Sequence, residues 1–437
     1  MKSISRPLRP LAAWVLSALL AACGDNVVNV GENGENEAEL TSSSSCPTGD
    51  IVVKNQAELD ALEGCTALDG NLTIVPFEGA DLGSLHALES VAGWLETSSA
   101  DIVDGAEIAR IDALKQAGWL NLDGLESLRQ VGSLHLDGVS SETFEALSGL
   151  RAVTDGTLML SHIARARDLS GLENVEGIDE FHVNGGAELV STAAVQLSPV
   201  MTNLFYRGSK LTELGTGVTS VLGELDIWGT AVENLDAFAD LTSVAGILFI
   251  ADNPALTDVE GLNALEVAGV LNVSRNATLA RLPAFESLDR LGGLQVIGNA
   301  ALVEVPAYSL YDDLSFDAIT FGAPEGEVER QRLLMRPDLI EVLDNPVLQQ
   351  FDVPSGWRAG SQVAIRNNAA LTRLGLGQLQ SIDHLEIAGN AALASVELQA
   401  VETVDVLRVQ DNPLLSEATF DSVQSFDREM SGNASAP

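Results

Sequence analysis

Five histidines, three cysteines and a large excess of carboxylates are the groups in this chain that could do chemistry. His86, His135, His162, His182 and His384 form no H-x-x-x-H or H-E-x-x-H arrangement, the spacings that bring imidazoles together around zinc. There is no Walker-type phosphate loop and no G-x-S-x-G nucleophile elbow. Clustered carboxylates beside a basic residue can cleave polysaccharides. Among 63 acidic residues such clusters arise by chance, however, and beyond Lys2 the only lysines are Lys54, Lys115 and Lys210. No stretch has the D-x-[DN]-x-[DN]-G spacing of a calcium loop. The expectation is therefore a chain without catalytic residues, resident metal or cofactor.

Recognition chemistry is better represented. Met159, His182, Phe205, Asp226 and Phe249 follow one another at 21 to 23 residues, each between two apolar positions, and Trp228 stands just after one of them. If the segments are strands stacked in register, these side chains form one outward row, about one strand spacing apart. The row begins at His135 and continues through Asn272, Gln295, Glu341, Ala364, Glu386 and Arg408. Large apolar and imidazole groups concentrate in its middle, as on a binding patch. The set Met159, His182, Phe205, Asp226, Trp228 and Phe249 is the candidate ligand-binding site. A plainer alternative is that another loop covers these residues, or that β-propensity alone selected them.

The elements that would position this row are repeats. GILFIADNPALTDVEGLNALEVA is followed by GVLNVSRNATLARLPAFESLDRL and then GLQVIGNAALVEVP. Leu248, Leu271 and Leu294 are spaced by 23, as are Asn253, Asn276 and Asn299. A fixed period of this size is the signature of a solenoid, whose laps bury their apolar edges against one another. The strand leucine recurs at Leu72, Leu95, Leu134, Leu158, Phe181, Leu204, Leu225, Leu248, Leu271, Leu294, Ile340, Val363, Leu385 and Leu407. Reading the long intervals 95–134 and 294–340 as two laps each gives about fifteen coils and a rod on the order of 70 Å long. GWLNL at 118–122 would supply one intermediate strand and the neighbourhood of Ile319 the other. The Asn positions 253, 276, 299, 345, 368, 390 and 412 mark the corner after each strand, where a buried amide can bond backbone groups of the adjacent coil. No lap carries a long amphipathic helical pattern. The fold expected is mainly β, a β-solenoid over residues 72–425. Residues 315–337 read as a charged excursion, either a functional loop or a tolerated insertion.

The first 22 residues combine Lys2, Arg6 and Arg9 with an apolar run from Leu11 to Ala22, too short to span a bilayer and suited to a signal peptide. Leu20-Ala21-Ala22-Cys23 resembles the lipobox of bacterial lipoproteins. That resemblance implies acylation of Cys23, and Gly24 after it is compatible with outer-membrane sorting. The alternative is an ordinary signal peptide with an incidental cysteine. Residues 23–45, with GENGENEAEL and SSSS, are too polar to fold and read as a tether. Exported chains meet an oxidising compartment, so Cys46 and Cys65 are expected to pair, leaving no free cysteine for nucleophilic work. Between them Asn55 caps a short amphipathic helix bearing Leu59 and Leu62.

The stretch CPTGDIVVKNQAELDALEGCTALDGNLTI (46–74) resembles the opening of the receptor L domain family and of related fungal wall proteins. There a cysteine pair brackets a short helix before the first G-x-L-x-I strand, which makes 46–71 a disulfide-bonded cap. The resemblance implies a right-handed parallel β-helix that binds ligands at a cell surface through a sheet face. The chain departs from the animal receptors in lacking a cysteine-rich module and in its longer run of coils. The Asn corner is similar to that of leucine-rich repeats, with one more residue before the next Leu. Residues 426–437 are expected to be a disordered tail.

Charge sets the remaining limits. The formal net charge is −40, and the first 22 residues contribute three bases and no acid, so the chain from Cys23 onward stands at −43. Such a surface repels nucleic acid and anionic lipid. The expected function is a non-catalytic, lipid-anchored protein of the bacterial outer membrane, on its periplasmic or extracellular face. Its solenoid face would recognise or adhere to a protein or a glycan. A structural spacer with cation-binding acidic faces is a second class, and a glycan-cleaving β-helix enzyme a third.

Overall fold

Alternation along the L-x-[IV] triplets decides the fold. In Leu248-Phe249-Ile250 the outer two side chains are fully buried and the middle one is half-buried, the period-2 pattern of a strand with one face on a core. The computed structural model describes residues 46–97, 105–306, 339–354, 361–376 and 379–434. Within them one parallel sheet runs from Ile51–Val53 to Gln424–Ser431. Its successive rungs are centred on Val52, Thr73, Glu96, His135, Met159, His182, Phe205, Asp226, Phe249, Asn272, Gln295, Glu341, Ala364, Glu386, Arg408 and Glu429. The fold is a parallel β-solenoid, about 70 Å from first rung to last at one strand spacing per lap.

The remainder of each lap obeys a period of three. From Asn253 every third residue is buried, at Leu256, Val259, Leu262, Leu265, Ala268 and Leu271, and from Asn276 at Leu279, Leu282, Phe285, Leu288, Leu291 and Leu294. Three residues per turn is the geometry of 3₁₀ turns and extended polyproline-like chain, and short 3₁₀ turns occur at Asp236–Phe238 and Glu260–Leu262. These residues and the strand leucines form one continuous apolar core. Near the carboxyl end Gln350–Asp352, Arg373–Gly375 and Ser395–Glu397 make a second, three-stranded sheet. The template glycine has a steric cause: a methyl on Gly246 would run into the carbonyl of Gly223, and one on Gly269 into that of Gly246.

Each corner is built from two residues. The first adopts left-handed backbone: Gly229, Asp252, Arg275, Gly298, Asp344, Asn367, Gly389, Asp411 and Gly432 all have φ between 53° and 68°. Gly, Asn and Asp tolerate that conformation best, and Arg275 is the exception. The second residue is the ladder asparagine. Asn276 Oδ1 accepts from the backbone N–H of Asn253 at 3.1 Å, and Asn276 Nδ2 donates to Ile250 O at 2.9 Å. The same pattern runs through Asn299, Asn345, Asn368, Asn390 and Asn412, all fully buried. It starts one rung earlier than the sequence suggests, where the N–H and hydroxyl of Thr230 donate to Asn253 Oδ1. It also ends one rung later, at Asn433.

The Cys46–Cys65 disulfide is present, with 5.5 Å between Cα atoms. Asn55 caps the helix Gln56–Asp60, accepting from Glu58 N at 3.1 Å. Four expectations need correction. The first rung, Ile51–Val53, pairs with Leu72–Ile74, so the stack begins inside the 46–71 cap. Leu95 pairs directly with Leu134, and Leu294 with Ile340, so neither long interval places an intermediate rung between these strands. The 95–134 excursion holds a 13-residue helix, Gly105–Ala117, where no long helical segment was expected. Its Ala, Glu, Arg, Leu, Lys and Gln residues have high helix propensity, and Gly118 at φ 75° ends it. Lastly, residues 426–431 belong to the final strand and Ala434 bridges to Ser416, so the expected disordered tail is ordered through 434. Cys23, the tether and the 315–337 excursion lie outside the described residues.

Candidate ligand-binding face

Strand alternation sends three columns of side chains outward: the row named above and the residues two positions before and after each of its members. The register places Met159, His182, Phe205, Asp226 and Phe249 side by side on consecutive rungs. Trp228 lies in the third column, two residues beyond Asp226. His182 and Phe205 stack, with ring centroids 4.3 Å apart and planes tilted by 33°. Met159 and Phe249 are half-buried on either side of this group.

Asp226 belongs to the outward row but is not open to solvent, since its side chain is only 1% exposed. Arg207 of the preceding rung folds over it, and Nε donates to Asp226 Oδ2 at 3.0 Å. The other carboxylate oxygen, Oδ1, is buried without a hydrogen-bond partner. The guanidinium carbon also lies 5.7 Å from the Phe205 ring and 5.7 Å from the Trp228 ring, within cation–π range of both. Burial raises the Asp226 pKa against the opposing pull of Arg207. Two residues earlier, just before the strand Leu225–Trp228, burial and the nearby Asp226 push Glu224 up to about 7. A carboxylate losing water without a close cation is destabilised in its charged form.

Trp228 is the most open ring of the group, with 41% of its surface exposed. Its indole N–H is nevertheless fixed, donating to Asp252 Oδ2 on the next rung at 2.7 Å. Asp252 is held in turn by Arg275, whose Nε donates to Oδ1 at 2.8 Å, and this bond keeps the Asp252 pKa below the usual carboxylate range. On the other flank Glu180 bonds His182 Nε2 at 3.0 Å and accepts from Asn203 and Thr157. Burial of Glu180 acts to raise its pKa, but these partners outweigh it and the net direction is down.

Sequence reading of the middle column alone missed Arg207, Glu180, Glu224, Asp252 and Arg275. Glu180, Glu224 and Arg207 were within reach of the same alternation argument, since residues two apart on a strand share a face. Asp252 and Arg275 lie past the strand, at corners, and no strand rule points to them. Among the described residues no group of three or more His, Cys, Asp or Glu side chains is arranged to hold a metal ion. No protein-family model matches the chain, and no characterised protein matches it in sequence.

Proposed function

We propose that this chain is a non-catalytic surface lipoprotein, anchored in the bacterial outer membrane through acylated Cys23, whose rod presents the rungs from Met159 to Phe249 to a protein or glycan partner. The observation that carries this reading is the ring and guanidinium cluster on the outward sheet face. On the rungs that follow, the same column turns polar, with Asn272 bonded to Gln295 and Gln295 to Glu341, each side chain to side chain at 2.8 Å. Half-buried rings that pack against each other while keeping an open side are typical of recognition surfaces. Two acyl chains or more would give stable anchoring where one is marginal.

The test is adhesion and retention at the surface of intact cells for wild type and for Phe205→Ala combined with Phe249→Ala. Both side chains face outward, so the melting temperature should move little while binding is lost. Unchanged binding by the double variant would remove the proposal, and resistance of the chain to protease added to intact cells would remove its extracellular placement.

A further inference from the structure

The chain as a whole is strongly acidic, yet the ring cluster is a locally neutralised island. Asp226 is matched by Arg207 and Asp252 by Arg275, while Glu180 is engaged by hydrogen bonds to His182, Asn203 and Thr157. A polyanionic partner is repelled by the surrounding surface. A cationic partner meets Arg207 and Arg275 at the rings, with the carboxylates beside them already engaged. An uncharged partner suits such a surface best.

The construction of Trp228 narrows the choice further. Its N–H is tied down, so what it offers is an apolar ring in a fixed orientation, with little side-chain entropy left to lose on binding. The tether is built at a conformational cost. Arg275 occupies the left-handed corner at φ 53°, where the other corners from Gly229 to Gly432 use Gly, Asp or Asn. A long side chain there is strained, and strain of this kind collects at functional positions. The guanidinium of that strained residue holds Asp252, and Asp252 holds the indole. A pyranose ring has an apolar face of C–H groups rimmed by hydroxyls, and matches a fixed ring bordered by donors and acceptors.

We infer that the face around Trp228 binds a neutral polysaccharide, with Trp228 as the stacking platform, Phe205 and His182 as a second ring surface, and Asp252 and Arg275 as positioning residues. This rests on the reading of the face as a recognition surface and names its ligand class. Neighbouring rungs repeat along the rod axis, so an extended glycan could lie across several of them, with the partly exposed guanidinium of Arg207 facing its hydroxyls.

The experiment uses the full chain in detergent on an array of neutral, amino-sugar and uronate-containing glycans, with affinity electrophoresis for the hits. Binding to neutral glycans and none to polyuronates is expected. Trp228→Ala should weaken binding at least tenfold with an unchanged melt. Arg275→Gly relieves the strained corner, so its melting temperature should hold or rise while affinity falls severalfold, an outcome that a purely structural arginine would not give. Binding confined to charged glycans, or wild-type affinity in both variants, would overturn the inference. If no neutral glycan binds but Trp228→Ala abolishes adhesion of intact cells, the occupant is a protein, and the recognition reading survives while this one fails. If neutral glycans bind as described but adhesion ignores every variant, the ligand class stands and the adhesive role does not.

Discussion

Replacing Asn299 by Ala tests the corner ladder where it is completely buried. In the intact ladder Asn299 Oδ1 accepts the backbone N–H of Asn276 at 3.0 Å, and Nδ2 donates to Val273 O at 2.8 Å and to Asn345 Oδ1 at 3.3 Å. The alanine leaves the Asn276 N–H with no acceptor and removes the amide donor from Val273 O. Asn276 Nδ2 keeps Ile250 O, and Asn345 Oδ1 keeps the N–H of Asn299, so those groups stay satisfied. A buried group deprived of its partner costs about 1–3 kcal/mol, which puts the substitution near 3 kcal/mol once the small void is included. Asn299→Asp keeps the acceptor but buries a charge and loses the donor, so its loss at pH 7 should be no smaller. Because laps of a solenoid can unfold separately, denaturant titration should be paired with hydrogen exchange. Protection is expected to fall at 273–276 and 296–299 and to hold at the amino-terminal rungs. A change below about 0.5 kcal/mol, less than one net hydrogen bond is worth, or protection lost evenly along the rod, would refute the account of the corner.

Three further outcomes are expected. Glu224 carries a pKa of 4.5 in its ordinary state and about 7 when folded, so the folded chain binds the extra proton and stability falls as pH rises from 4.5 through 7. Discounted for partial exposure, the loss is about 1–2 kcal/mol. Glu224→Gln should flatten that slope between pH 5 and 8, and an unchanged slope would show that the carboxyl is solvated. Replacing Cys46 and Cys65 together by Ala opens a loop of sequence separation 19 and should cost about 3 kcal/mol. Hydrogen exchange should confine that effect to the rungs at Ile51–Val53 and Leu72–Ile74. Gly269→Ala should destabilise by about 2 kcal/mol, since its methyl meets backbone carbonyls of the preceding lap that cannot rotate away; a neutral melt would mean that the laps can part.

The period-23 rungs were legible because inward Leu and Ile, a steric glycine and a hydrogen-bonding amide recur for separate physical reasons at the same spacing. The last rung escaped notice because Arg428 and Met430 stand where Leu and Ile would be. Arg428 instead turns its guanidinium to Phe420 O at 2.5 Å, closing the end of the stack with a charge. The helix Gly105–Ala117 was hidden by counting laps: an interval of 39 divides into two short coils as easily as into one coil with an insertion, and only local propensity and Gly118 argue for the latter. The site was half legible. Alternation puts Met159, His182, Phe205 and Phe249 on the outward face and Arg207 beside them, but it does not say that Arg207 reaches across to the next lap and buries Asp226.

The uniform laps between Asn253 and Asn299 have a consequence for how such a molecule can change in size. The ladder bonds across each junction there join equivalent atoms, and Asn276 makes with Asn299 what Asn253 makes with Asn276. A duplicated or deleted 23-residue segment would find its partners already waiting, lengthening or shortening the shaft by one notch of roughly 4.8 Å. The disulfide-bonded start and the arginine-closed finish would be untouched, so reach can be tuned through gene duplication without redesigning either end.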